Sequence, residues 1–280
     1  MEIPRYWKMV SGMFPDNLGT QTQLVVWGGG EDEAAAERDG LARIERQAAR
    51  LKAGEPLDRF YEYAVRAVRE EVIQTFDAYD GNPETQVAVV TRNGYGSLVL
   101  NTSSMLFLDV DFEVSLGGLV RGLFSKQSPE QHRLEQLKRV LESHRDGQFR
   151  IYRTAGGLRV IGLGRNYDPA GREAEDLMKA TGTDRCFVRL CRVQKCFRAR
   201  LTPKPWRCGV PRPWIRYPYR TTEEAEAMKK WIEDYEKQAA HYATCQFIEA
   251  VGNPAPVGDE QILLDLHDQI TRAESGLPLA

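Results

Sequence analysis

The chain has 280 residues, 42% of them hydrophobic, with five Trp, eleven Tyr and ten Phe, which supplies a packed core and excludes a globally disordered chain. No apolar run approaches the roughly 20 residues of a membrane span, the first residues lack a signal-peptide stretch, and five cysteines do not make a disulfide framework; a cytoplasmic protein with no membrane partner is expected. The formal net charge is −2, a total that names no partner until it is read by position.

Residues 24–27 read as a strand closed by Gly28-Gly29-Gly30. Residues 31–52 read as a helix with Leu41, Ile44, Ala48 and Leu51 on one stripe and with an acidic start and basic finish that suit its dipole. Residues 60–65 fit a strand. Residues 87–91 and 97–100 are strands around Arg92-Asn93-Gly94, a hairpin signal. The most hydrophobic strand is 105–113, and the glycine-containing 114–127 reads as a mobile loop. Ser128-Pro129-Glu130-Gln131 is a capped helix start, and the helix runs to about 145. Strands follow at 149–153 and 158–163, joined by Thr154-Ala155-Gly156-Gly157. A short helix is expected at 173–180 and strands at 186–190 and 197–201. Five prolines then mark an irregular segment to residue 218.

Thr221 and Glu224 stand at capping-box spacing before a long helix striped by Met228, Trp231, Ile232, Tyr235, Tyr242 and Cys245, with Gly252 and Pro254 at its end. A last helix covers about 259–273. The expected fold is α+β: a mixed or antiparallel sheet core with flanking helices and a C-terminal helical pair. The core takes 1–220, including a basic segment at 185–220, and the helices of 221–280 pack on it.

Residues 185–220 hold eleven Lys and Arg and no Asp or Glu, so the small total joins a +11 segment to a −13 remainder. Phe187, Phe197, Trp206, Trp214, Tyr217 and Tyr219 interleave with the cations. Clustered cations attract phosphate and ring faces stack bases, which marks Lys204, Trp206, Arg207, Arg212 and Trp214 as candidate nucleic-acid contacts. The same arginines also suit a surface salt-bridge network with the acidic remainder.

Alternation along the strand 105–113 puts Asp109, Asp111 and Glu113 on one face and Leu108, Val110 and Phe112 on the other. Adjacent carboxylates repel unless a cation neutralises them. Hard oxygen ligands suit Mg²⁺ or Mn²⁺, which makes Asp109 and Asp111 candidate metal ligands and catalytic residues. Pairing to arginine is the alternative. The turn Thr154, Gly156, Gly157, flanked by Arg153 and Arg159, permits close approach of a phosphate. Arg198 and Arg200 share a strand face and form a candidate phosphate fork, or a partner for the acidic strand. Cys191, Cys196, Cys208 and the His241/Cys245 pair lack the C-x₂-C spacing of zinc modules, so free thiols are expected over structural Zn²⁺. His132, His144 and His267 read as structural or surface residues. No phosphate-binding loop with its lysine occurs.

Two stretches together resemble the archaeo-eukaryotic primase superfamily. They are Leu108-Asp109-Val110-Asp111 and Tyr152-Arg153-Thr154-Ala155-Gly156-Gly157-Leu158-Arg159. The resemblance implies an α/β core with a sheet of RNA-recognition-motif type, two divalent metals and nucleotidyl transfer in DNA replication. Arg159 stands where that family has a histidine for the nucleotide phosphates, and Asp168 and Asp184 follow in the order of its later carboxylate. Residues 152–159 and 197–206 also resemble segments of uncharacterised bacterial proteins. The expected function is the handling of nucleotides or of DNA or RNA, by metal-dependent nucleotidyl transfer or as a non-catalytic binding module whose acidic strand is neutralised by Arg159 or Arg198/Arg200. A structural or interaction protein is the third reading.

Overall fold

The computed structural model describes residues 1, 3–57, 68–77, 86–112, 128–144, 147–253 and 255–280. The expected strand at 60–65, Glu113, the loop 114–127 and Pro254 lie outside the described residues. The chain divides into two compact units, residues 2–71 and 72–280, a boundary that differs from the expected division at 220.

In the first unit β1 (Tyr6–Pro15) and β2 (Gln21–Gly30) form an antiparallel hairpin, and α1 (Glu33–Lys52) packs on it. Asp32 caps the helix, its Oδ1 accepting from the Ala35 N–H at 2.6 Å. Leu24, Val26 and Ile44 form the small core. The three glycines do not end the strand. A Cβ on Gly28 would run into the Ala36 carbonyl and the Gly40 backbone, so Gly28 and Gly40 let strand and helix touch backbone to backbone.

The second unit holds two four-stranded sheets. One has the order β3 (Glu71–Asp77), β4 (Gln86–Arg92), β5 (Leu98–Thr102), β9 (Phe197–Arg200). The other has the order β10 (Cys245–Val251), β7 (Gln148–Thr154), β8 (Gly157–Leu163), β6 (Leu106–Asp111). The pairs β4–β5, β5–β9, β6–β8, β7–β8 and β7–β10 are antiparallel. Helices α2 (Pro129–Ser143), α3 (Arg172–Thr181), α4 (Arg185–Gln194), α5 (Thr222–Ala239) and α6 (Glu260–Thr271) surround them. The fold is α+β, as the mixed pattern of elements implies.

The capping box at Ser128 forms as expected, with Ser128 Oγ accepting from the Gln131 N–H and Gln131 Oε1 accepting from the Ser128 N–H. Leu137 and Leu141 of α2 and Leu177 and Met178 of α3 join Leu106, Leu108, Val110, Ile151, Leu158 and Val160 in one core.

Strands β1 and β3 fall where the sequence reading names no element, and two further regions differ from it. Residues 186–190 belong to α4 and not to a strand. Asp184 Oδ2 accepts from the Phe187 N–H, a helix cap placed two residues before the run that reads as a strand. The C-terminal region holds the two expected helices with a strand between them. The first helix ends at Ala239, and residues 245–251 pair with β7 as the edge strand β10. Cys245 and Phe247 alternate onto the sheet face, a period-2 signal hidden inside an apparently helical stripe. Residues 221–280 therefore complete the sheet rather than pack on a finished core.

Gly28→Val is expected to overpack the hairpin against α1 at a cost of about 1–3 kcal/mol. Hydrogen–deuterium exchange on the full chain would show faster exchange across α1 with β6 and β8 unchanged; unchanged exchange in α1 would refute the backbone contact.

Candidate functional site

The acidic strand behaves as its alternation dictates. Leu108 and Val110 are buried, while Asp109 and Asp111 share the opposite face. In the ladder Asp109 stands across from Arg159 and Asp111 across from Gly157. Arg159 is fully buried. Its Nε donates to Asp109 Oδ1 at 2.9 Å and its Nη2 to Asp109 Oδ2 at 3.4 Å, a two-pronged fork. The Asp109 side chain keeps 38% of its surface open, against 1% for Arg159. Burial pushes the Asp109 carboxyl up, but the Arg159 charge and hydrogen bond, with Arg200 behind them, outweigh that and hold its pKa below the ordinary value.

The third arm of Arg159 reaches out of its sheet. Nη1 donates to the Arg200 carbonyl on β9 at 2.8 Å and lies 3.3 Å from His267 Nε2 on α6. A guanidinium only donates, so Nε2 accepts and the imidazole proton sits on Nδ1, facing Asp268 Oδ1 at 2.8 Å. Asp268 Oδ2 accepts from Tyr152 Oη at 3.2 Å and pairs with Arg150 Nη2 at 3.2 Å. The Cys245 Sγ lies 4.0 Å from His267 Nε2. Sequence reasoning missed this network. His267 reads as a surface or structural residue, and only the strand spacing of Arg150 and Tyr152 hints that they share a face with Arg159.

Beside the carboxylates lies a group of cations. Arg200 Nε is buried without a hydrogen-bond partner. Burial, Arg159 and Arg207 lower the Arg200 pKa, with Asp109 opposing. Burial first, then Arg200 and Arg207, lower that of Lys204, with Asp111 and Asp109 pulling the other way. Arg207 crosses the β7–β8 turn, where a Cβ on Gly156 would come within 3.3 Å of its Nη2. Burial, Asp109 and Asp184 raise the Asp111 pKa, against Lys204 and Arg200. Ring faces adjoin the cations. Lys204 Nζ stands 5.6 Å and Arg212 Cζ 4.1 Å from the Trp206 ring centre, and Tyr95 meets Trp206 edge-on at 5.6 Å. Trp214 is 81% exposed.

Other expected members are placed elsewhere. Arg153 is cross-strand from Leu158 and Arg159 from Tyr152, so the two arginines lie on opposite faces of the sheet and do not flank one phosphate. Arg153 instead pairs with Glu130 at 2.7 Å. Thr154 Oγ1 accepts from the Gly156 N–H at 3.3 Å. Gly157 is small because β6 runs against it, its Cβ position being filled by the Val110 carbonyl. Arg198 is buried, and its Nη1 donates to Gln194 Oε1 at 2.8 Å. It does not fork with Arg200.

The fit of a divalent metal turns on the donors. Asp109 is engaged by Arg159, and among the described residues no three His, Cys, Asp or Glu side chains converge as a metal-holding group. The described donors alone are too few for a two-metal centre. The five cysteines are unbridged, with Cys186 exposed and the others buried. No helix among the described residues is long and apolar enough to cross a membrane.

Arg159→Met strands Asp109 without its cation. Breaking such a pair costs about 3–5 kcal/mol when both groups are buried, and less here because Asp109 half-faces solvent. Denaturant unfolding should show Asp109→Asn/Arg159→Met as more stable than Arg159→Met alone. Because Asp109 titrates lower in the folded chain than its ordinary 3.8, the pair's contribution is complete above that pH and is lost as pH falls through the folded value. Asp109→Asn should flatten that acid limb, and an unchanged limb would show that the pair is not what titrates. No family model, curated protein or solved structure matches this chain, so the arrangement of its residues, and not kinship, carries the functional reading.

Proposed function

We propose that this chain is a nucleotide- or nucleic-acid-binding protein that holds ligand phosphates on Arg200, Lys204 and Arg207 and stacks bases on Trp206, with Arg212, Tyr95 and Trp214 at the rim. One observation carries this reading. Three cations crowd each other closely enough that Lys204 is held below its ordinary pKa by its own burial and by Arg200 and Arg207, and the Arg200 Nε is buried with no acceptor. An incoming phosphate supplies the missing anion and acceptors at once. The adjoining rings are sequence-tolerant stacking faces, which favours a single strand over a duplex read in its grooves. Arg159 then serves as internal neutraliser of Asp109, and binding needs no divalent metal.

A second reading is metal-dependent nucleotidyl transfer of the primase type, with Mg²⁺ or Mn²⁺ on Asp109 and Asp111. It is favoured by the action of Asp184 on Asp111, which gathers a third carboxylate charge beside the pair. A metal in that position requires Asp109 to share its oxygens with Arg159.

Fluorescence anisotropy with a labelled single-stranded oligonucleotide separates the two. Three phosphate contacts give a slope of log affinity against log salt of about −2, and Arg207→Ala should make it shallower by about 0.7. Trp206→Ala should weaken binding by about 1–3 kcal/mol without changing the slope. Asp111→Asn should tighten binding by removing an anion from the phosphate's neighbourhood, and EDTA should leave it unchanged. Under the metal reading Asp111→Asn and EDTA both weaken binding, and Mn²⁺ supports nucleotide incorporation. Binding that is absent or insensitive to salt would overturn both.

A further inference from the structure

Away from the cation group, α3 and α4 enclose a groove. Its floor is apolar, from Met178, Val188 and Pro169, and one wall carries Arg185, Arg189 and Arg192. These arginines recur at i, i+4 and i+7, so they line one face of α4. They rise along the helix by about 6 Å and then about 4.5 Å. All three are exposed. Arg192 shares Glu175 with Lys179, at 3.8 Å and 2.6 Å. Among the described residues Arg185 and Arg189 have no ion pair. The groove thus offers, beside an apolar surface, two cations with no ion pair among the described residues.

Its position gives the occupant. Asp184 caps α4 and lines the groove. The strand of Asp111, β6, packs against α3 of the groove and against β9, the strand of Arg200, and Asp184 is near enough to Asp111 to act on its charge. The groove and the cation group therefore approach each other around Asp184 and Asp111.

We propose that the groove between α3 and α4 is a second segment of the path of a single-stranded nucleic acid, with phosphates on Arg185 and Arg189 and a base against Met178, Val188 and Pro169. The inference rests on the binding function proposed above and extends it from one cluster to a track. The cation spacing along α4 is on the scale of successive phosphates in an extended strand. The two acids at the junction, Asp111 and Asp184, repel phosphate there, so the strand is held on either side of the junction rather than at it. An acidic peptide would meet the same arginines, but its carboxylates gain nothing from the apolar floor.

The test measures length dependence with oligo(dT) of about 4 and about 16 nucleotides, bracketing the site sizes of single-strand binders. It compares the full-length chain, the variant Arg185→Ala/Arg189→Ala, and the charge-matched control Lys229→Ala/Lys230→Ala on exposed positions of α5. The wild type and the control should bind the longer strand more tightly and with a steeper salt slope. The groove variant should bind the short strand normally, and its slope on the long strand should be shallower by about 1.4, the share of two single-strand phosphates. An unchanged slope on the long strand, with the short strand still bound, overturns the track while leaving the proposed function standing. Failure of the wild type to bind either length overturns both. Displacement of the long strand from the groove by poly-glutamate at equal charge would assign the groove to an acidic peptide and also overturn the proposal.

Discussion

A guanidinium with no surface exposed to solvent sets the conditions for everything around it. Taking a charge out of water costs several kcal/mol even after the protein relaxes, and Arg159, on β8, meets that cost with partners from three other elements. Asp109 comes from β6, the Arg200 carbonyl from β9, His267 from α6, and Arg159 itself from β8. Its Nη1 bond to Arg200 is a bridge from one four-stranded sheet to the other. The orientation of His267 is fixed in turn by Asp268, and that of Asp268 by Tyr152 and Arg150. One buried charge therefore determines which residues from distant parts of the chain must meet.

The neighbouring cations follow from that arrangement. Once Arg159 has taken Asp109, little negative charge is left for Arg200, Lys204 and Arg207, and they repel one another. The fold holds them together regardless. Arg200 is on a strand, and the segment after it is pinned at Pro203, whose carbonyl accepts from Ser97 Oγ at 2.9 Å and Tyr235 Oη at 2.6 Å. Leu98 N–H donates to Thr202 Oγ1 at 2.9 Å just before it. Repulsion that the scaffold has already absorbed does not have to be overcome when an anion binds, which is the physical content of preorganisation.

Much of this was legible in the sequence where the governing interaction is local. The capping box at Ser128 and the alternation of Leu108, Asp109, Val110 and Asp111 depend on neighbours a few residues away, and each reads correctly. The +11 segment was also legible as a sum, but not as a site. Its members divide among α4, β9 and the proline-rich segment, and Arg198 is spent on Gln194 inside the protein. What decides a charge's role is its partner, and Arg159 lies 50 residues from Asp109 and 108 from His267. The same limit hid β10. Its pairing with β7 spans about a hundred positions, while its local composition continues a helical stripe. His267 was missed because the apolar positions of α6 show which face is buried, not which polar residue that face carries inward.

The choice between binding and catalysis reduces to how Asp109 and Asp111 differ. They sit two residues apart on one strand face, yet their pKa values move in opposite directions. Burial raises both, and a matched guanidinium brings only Asp109 back down. A two-metal site needs both carboxylates free to share a cation, whereas here Asp109 is already engaged by Arg159. Because Arg159 already neutralises Asp109, a phosphate on Arg200 and Lys204 meets less net negative charge than two unpaired carboxylates would present. The asymmetry imposed by Arg159 thus lowers the negative charge at the edge of the cation group, and it does so from the buried side, leaving the exposed side open to an anionic ligand.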